Sequence, residues 1–200
     1  MKRRTNGLKR ESSASLVLDT IRRYRPINRY EIAKKTSLSP ATVTNVTNLL
    51  LNAGLICESP GSIPERGRRP TNLSLSDDNY LAVGMEIDTQ HITGVVMGLG
   101  GKVLREKRIN INKHAPEFVF KEVINLFNLL TEGLNKEGIV GLGIGIPGLI
   151  SPTDKEVIFS AILDWRDVSV EEFVRDFDTP YFIEDNVRAI TLGELWYGGG

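Results

Sequence analysis

The segment Ser39-Pro40-Ala41-Thr42-Val43-Thr44-Asn45 begins a run in which Ala41, Thr44, Asn45 and Asn48 share one side of a helix. The chemistry of that side is recognition. An Asn amide can pair with adenine, and a Thr methyl can meet the thymine methyl, in a DNA major groove. The other side of the run, Val43, Val46, Leu49, Leu50 and Ala53, is apolar and is expected to pack inward. A merely solvated polar face is the alternative. A second cluster, Pro64-Glu65-Arg66-Gly67-Arg68-Arg69-Pro70, gathers arginines around one glycine between prolines. Such a narrow cationic finger fits a minor groove, above all an A·T-rich one. An isolated basic loop is ordinarily just solvated; directly behind a capped recognition helix it reads as a wing. The expected DNA contacts are therefore Ser39, Ala41, Thr44, Asn45, Asn48, Arg66, Gly67, Arg68 and Arg69. Lys2, Arg3, Arg4, Lys9 and Arg10 are expected to add phosphate contacts.

The elements that must position these groups are legible around them. Leu16-Val17, Ile21 and Tyr24 form the apolar stripe of a first helix from Ser15, which Pro26 ends. Asn28 is placed to cap a short second helix with Tyr30, Ile32 and Ala33. Ser39 as N-cap and Pro40 as first helical residue start the third, and Gly54 is its expected left-handed stop. Leu55–Glu58 and Leu73–Leu75 then read as two strands flanking the arginine loop. Helix, short helix, turn, helix, hairpin is the order of a winged helix-turn-helix, assigned to residues 1–76. Asp77-Asp78-Asn79 marks the expected boundary, with a second domain over 77–200.

Composition agrees with two parts. The 200 residues carry no formal net charge, yet residues 1–72 hold 14 Lys and Arg against 5 Asp and Glu. Residues 73–200 hold 11 against 20, so a basic module is joined to an acidic one. The single cysteine, Cys57, excludes an internal disulfide and any cysteine zinc cluster. Thr5–Ser15 supplies no apolar signal-peptide core, and no run of apolar residues is long enough for a membrane span. A cytoplasmic protein without a membrane partner is expected.

From Tyr80 the pattern changes. Leu81, Val83, Met85 and Ile87 alternate as a strand, followed by strands at Ile92–Met97 and Val103–Ile111. A helix near Pro116–Leu134 presents Val119, Val123, Leu126, Phe127, Leu130 and Leu134. In Ile139–Ile146 glycines alternate with apolar residues, so another segment can lie close along the glycine face. A helix at Ser169–Phe177, a strand at Tyr181–Ile183 and a helix near Val187–Tyr197 complete an α/β domain.

Taken together, Ser39–Thr44, Gly54-Leu55-Ile56 and Gly67-Arg68-Arg69-Pro70 resemble the N-terminal module of ROK-family regulators (repressors, open reading frames, sugar kinases). Gly141–Ile150, Trp165-Arg166-Asp167-Val168 and Pro180–Asn186 extend the resemblance over nearly the whole chain. The resemblance implies a two-domain α+β and α/β protein: a winged helix-turn-helix, then the first lobe of an actin/hexokinase/RNase H-like sugar-kinase fold. It further implies a regulator, expected to be a repressor of carbohydrate-utilisation genes. Its partners would be a double-stranded DNA operator, a sugar or sugar-phosphate effector, and a second copy in a homodimer or higher homo-oligomer. By the same resemblance Pro147, Gly148, Asp185 and Asn186 are effector-site candidates. Similar proteins continue past the Gly198-Gly199-Gly200 end into a second lobe with a phosphate loop, sugar ligands and often a His/Cys zinc site. A truncated product or partial coverage, an incomplete effector site and no cofactor within these residues are expected.

The alternative implied by the resemblance is a sugar kinase with an appended DNA-binding module. The residues depart from it. Family kinases carry an acidic-Gly-Gly-Thr phosphate loop after the first strand, whereas Glu86-Ile87-Asp88-Thr89-Gln90-His91 contains no glycine. The family's Asn-Asp pair reads Asp185-Asn186, which puts an amide where a general base is needed. Ile162 stands where a sugar-contacting Asn is expected. Asp185 and Asn186 could also serve only to cap the following helix, and His91 reads as an ordinary strand-edge residue. No catalytic residue is assigned.

Overall fold

The computed structural model describes residues 2–62, 69–175 and 177–198, with the backbone alone for 2–11. The chain divides into two compact units between Tyr80 and Leu81. The sequence reading ended the first part at Ser76. Two hydrogen bonds hold the next residues to it: Asp78 N donates to Ser76 Oγ at 3.4 Å, and Asn79 Nδ2 donates to Gly54 O at 3.3 Å.

The first unit comprises α1 (Lys2–Tyr24), β1 (Ile27–Asn28), α2 (Arg29–Thr36), α3 (Pro40–Asn52), β2 (Ile56–Pro60) and β3 (Thr71–Leu75). The α1 helix begins well before Ser15, where the sequence reading started it. Its buried stripe is Val17, Thr20 and Ile21, while Leu16 and Tyr24 are exposed. Asn28 caps α2 in a full capping box: its side chain accepts from Glu31 N, and the Glu31 carboxylate accepts from Asn28 N. Ser39 Oγ accepts from Thr42 N at 3.1 Å at the start of α3. At the other end Gly54 takes φ 69°, a conformation that suits glycine. The strands form an antiparallel sheet in the order β1-β3-β2, in which β1 is an addition that the sequence did not reveal. Val17, Ile21, Ile32, Val43, Leu50, Ile56 and Leu73 form the core.

The second unit contains β4 (Leu81–Ile87), β5 (His91–Gly98), β6 (Val103–Asn110), α4 (Pro116–Thr131) and β7 (Ile139–Ile146). There follow β8 (Leu149–Ser151), β9 (Glu156–Ser160), β10 (Trp165–Ser169), β11 (Tyr181–Asp185) and α5 (Asn186–Tyr197). The main sheet has the order β11-β7-β4-β5-β6: β11, β7 and β4 are parallel, and β5 and β6 are antiparallel. One face packs under α4, whose Val119, Phe120, Val123, Leu126, Phe127 and Leu130 meet Val83, Ile92, Val96, Leu142 and Ile144 in one core. Arg105 closes the end of α4 by donating to the carbonyls of Leu130 and Glu132.

Two expectations fail here. The helix at Ser169–Phe177 is a single 3-10 turn at Val170–Glu172. Its Val170, Phe173, Val174 and Phe177 have helical spacing, but i to i+3 bonds, Phe173 N to Val170 O and Phe177 N to Val174 O, serve that spacing turn by turn. A separate antiparallel sheet, β10-β9-β8, occupies a stretch to which the sequence reading gave no element. Trp165 from this sheet is buried, with Phe120 at a 5.6 Å ring-centroid separation, and its indole N–H donates to His114 O.

Candidate nucleic-acid interface and effector edge

In α3 the buried residues are Val43, Val46, Thr47 and Leu50. Ala41, Thr44, Asn45 and Asn48 are all exposed. The polar face therefore points to solvent, but the helix is rotated from the expected register. Leu49, expected in the core, is 62% exposed, and Thr47 takes its place with no exposure. The Thr44 hydroxyl donates to Pro40 O at 2.9 Å, so its methyl is the group left for a partner. Ser39 is used as the cap, which places the N–H end of the helix at the start of the same face.

The residue that satisfies the buried Thr47 hydroxyl is one that the sequence reading did not select. Arg29, the first residue of α2, donates from Nε to Thr47 Oγ1 and from a terminal nitrogen to Glu58 Oε1, both at 2.9 Å. A weaker bond, at 3.5 Å, runs to Asn48 Oδ1. One guanidinium thus joins α2, the buried side of α3 and the wing strand β2. Thr47 Oγ1 also donates to Thr44 O, so its hydroxyl both donates and accepts. The available signal was a threonine at the i+4 position from Val43 and the i−3 position from Leu50, within an apolar stripe: a buried hydroxyl there requires a partner.

The wing strands β2 and β3 pair in register from Ile56 with Leu75 to Pro60 with Thr71. Arg66, Gly67 and Arg68 lie outside the described residues. Arg69 is exposed at the base of the wing, where its Nε donates to Gly61 O at 2.6 Å.

In the second unit the parallel strands end together. Ile87 of β4, Ile146 of β7 and Asp185 of β11 bring Asp88, Pro147-Gly148 and Asp185-Asn186 to the carboxyl edge of the sheet. That edge is where ligands bind in open α/β sheets. Asp185 caps α5 by accepting from Arg188 N at 3.1 Å. Asn186 Nδ2 donates to Ile87 O at 3.2 Å, which ties the start of α5 to the end of β4. Its Oδ1 is buried without a hydrogen-bond partner and lies over Gly145, where a Cβ would come within 2.6 Å of it. Gly145 is therefore one place where the glycine face of β7 admits another segment. Gly148, with φ 145°, lies against the backbone of Phe159 and Ser160, which leaves no room for a side chain.

The β4–β5 turn holds a carboxylate bound to its own backbone N–H groups. Asp88 Oδ1 accepts from Gln90 N at 2.6 Å and His91 N at 2.8 Å. Burial pushes the Asp88 carboxyl up, but the backbone N–H groups of Gln90 and His91 outweigh it and hold it below the ordinary carboxylate range. Arg108 donates to His91 Nδ1 at 2.7 Å, and His114 Nε2 meets Thr89 O, also at 2.7 Å. No group of three or more His, Cys, Asp or Glu side chains suited to a metal occurs among the described residues. Nor is any helix there long and apolar enough to cross a membrane.

Residues 12–60 match the MarR family, and residues 82–200 match the ROK family. A putative xylose repressor from Caldicellulosiruptor sp. (strain Rt8B.4) is 30% identical over 97% of this chain and 50% of its own length. The N-acetylglucosamine repressor of Escherichia coli O157:H7 is 23% identical over 96% of this chain and 48% of its own. The chain thus spans about half the length of the curated relatives it matches. Among solved structures, a ROK family transcriptional regulator, a homolog of the E. coli MLC protein, superposes with TM-score 0.67 at 24% identity. That match covers 94% of this chain and 48% of the other. A ROK family glucokinase from Streptomyces griseus reaches TM-score 0.54 at 22% identity, over 60% of this chain and 38% of its own. At these identities the structural matches establish the fold alone: a winged helix followed by a sugar-kinase-like α/β unit. With the ROK match spanning more than half of its residues, this chain belongs to the ROK family.

Proposed function

We propose that this chain is the operator-binding part and first effector lobe of a sugar-responsive transcriptional repressor acting in the cytoplasm. The observation that carries the reading is the outward face of α3, where Thr44, Asn45 and Asn48 are exposed above a buried stripe. Asn45 and Asn48 read base edges, the Thr44 methyl meets a thymine, and the arginines of the wing reach the minor groove. The basic charge of residues 1–72 supplies the phosphate attraction that such an interface needs.

The effector in this reading is a sugar or sugar phosphate held near Pro147-Gly148 and Asp185-Asn186. The relatives named xylose repressor make xylose the first sugar to test, with N-acetylglucosamine next. Phosphorylation of the sugar is not part of the proposal. Asp88 already occupies the N–H groups of its turn and offers a negative charge to an incoming phosphate, and the Asn186 amide cannot take a hydroxyl proton.

The test begins by selecting a duplex from a random pool with the purified chain. Mobility shifts then follow with xylose, N-acetylglucosamine, glucose and their phosphates. Sequence-selective, salt-dependent binding that one sugar changes is expected. Binding to every duplex alike overturns the operator reading, and selective binding that no sugar alters overturns the effector reading.

A further inference from the structure

The base of the wing is pinned by two hydrogen bonds. Gly61 N donates to Pro70 O at 2.8 Å, and Arg69 Nε donates to Gly61 O at 2.6 Å, so the Arg69 guanidinium stays at the base. Its two terminal nitrogens have no hydrogen-bond partner among the described residues. Asn28 pairs with Asn72 across β1 and β3, which sets the first turn of α2 beside Pro70-Thr71. A groove of about 440 Å³ opens there, lined by Asn28, Arg29, Tyr30, Arg69, Pro70 and Thr71. Tyr30 is 78% exposed, so its ring does little for the core and its hydroxyl is open to a ligand.

Charge selects that ligand. The Glu58 carboxylate pairs with Arg29 at 2.9 Å, and the Glu31 carboxylate is engaged in the capping box of α2. Arg69 pairs with no carboxylate among the described residues, so it leaves the groove with an uncompensated positive charge. A guanidinium fork beside a phenol hydroxyl suits the oxygens of a phosphate diester. Arg29 also borders Asn48 on the outward face of α3, so a duplex read by that face carries its backbone past this groove.

We propose that Arg69 and Tyr30 together hold one backbone phosphate of the duplex, with Arg29 as a wall of the site. This rests on the operator reading and divides the wing. Arg66 and Arg68 are left to the minor groove, whereas Arg69 fixes the position of the protein on the DNA.

The whole chain is titrated with the selected duplex and with a random one over a range of salt. Arg69→Ala should weaken both by about tenfold or more and lower the salt slope by about one, with the preference between them unchanged. Tyr30→Phe should weaken both by a smaller factor at an unchanged slope. Neutral methylphosphonate linkages are then walked along the selected duplex. One linkage that weakens the wild type should be silent in Arg69→Ala and blunted in Tyr30→Phe. Circular dichroism checks each fold; should Arg69→Ala disturb the wing, the Tyr30→Phe scan carries the test, because it removes only an exposed hydroxyl. A 2-amino group added to minor-groove adenines should affect wild type and Arg69→Ala alike. An Arg69→Ala protein that ignores that group, or whose preference narrows, places Arg69 in the minor groove and overturns the proposal. So does a scan in which every linkage acts equally on wild type and variants. A wild type that binds both duplexes alike removes the operator reading instead, and the salt slopes then still decide whether Arg69 meets a phosphate.

Discussion

Arg29 Nε donates to Thr47 Oγ1 at 2.9 Å, so a residue at the start of α2 pairs with the one hydroxyl on the buried side of α3. Thr47→Val keeps the volume but removes the acceptor. Leaving the half-buried Arg29 nitrogen unpaired should cost about 1–3 kcal/mol. Both tryptophans, Trp165 and Trp196, are in the second unit. Urea melts of Thr47→Val should therefore show an earlier circular-dichroism transition and an unmoved tryptophan-fluorescence transition. Coincident, wild-type transitions would remove Arg29 as the positioning residue.

Adjacent leucines on α3 should behave as opposites. Leu50, 4% exposed, should lose about 2–5 kcal/mol on change to Ala, as buried leucines do. Leu49→Ala should stay within about 0.5 kcal/mol of wild type, since the side chain is 62% exposed. Equal losses in a denaturant titration would put Leu49 back in the core.

Asn45→Ala and Asn48→Ala should narrow the preference for selected over random duplex by about 1–3 kcal/mol per lost bidentate contact. Replacing Arg66, Arg68 and Arg69 together by Ala should weaken binding to both duplexes and flatten its dependence on salt. Titrations at several salt concentrations separate the two classes of effect. Unchanged specificity in both Asn variants would mean that another face of the helix reads the bases.

The depressed Asp88 carboxyl predicts a pH dependence of definite sign. A group whose folded pKa lies below its unfolded one stabilises above the unfolded value, near about 4 for Asp, and loses that contribution as pH falls through the folded value. The second unit should therefore weaken on acidification below about pH 4. Asp88→Ala should be less stable than wild type at neutral pH and lose less on acidification. Parallel curves for the two proteins, followed by tryptophan fluorescence, would exclude Asp88 as a source of the dependence.

Sugar-dependent ADP release from ATP should stay far below about 1 per second, the low end of ordinary turnover. Asn186→Asp alone should not restore it. General-base catalysis contributes about 100- to 10,000-fold, and in the proposed reading a base added near a turn whose N–H groups Asp88 already occupies still lacks the phosphate positioning on which phosphoryl transfer chiefly depends. Turnover near that rate with any of the sugars tested would reinstate the kinase reading.

Local chemistry made much of this protein legible in its sequence. The Asn28 and Ser39 caps, the Gly54 stop, the alternating strands β4 and β5, and the buried side of α4 each depend on neighbours a few residues away. The same holds for the charge division and for the exposed polar face of α3. The long-range pairings decided the rest. The rotation of α3 exposes Leu49 and buries Thr47, whose hydroxyl finds its partner in Arg29, eighteen residues away. The bond from Asn186 to Ile87 spans ninety-nine positions. The helix pattern at Val170–Phe177 gave way to a single 3-10 turn at Val170–Glu172, because a periodic apolar stripe says which side must be buried but not which backbone ladder will bury it. Even the exposed apolar residues of α5 read locally as an ordinary helix. Only the tertiary structure shows that none of its twelve residues is buried, because burial is set by what packs on a helix and not by its own sequence.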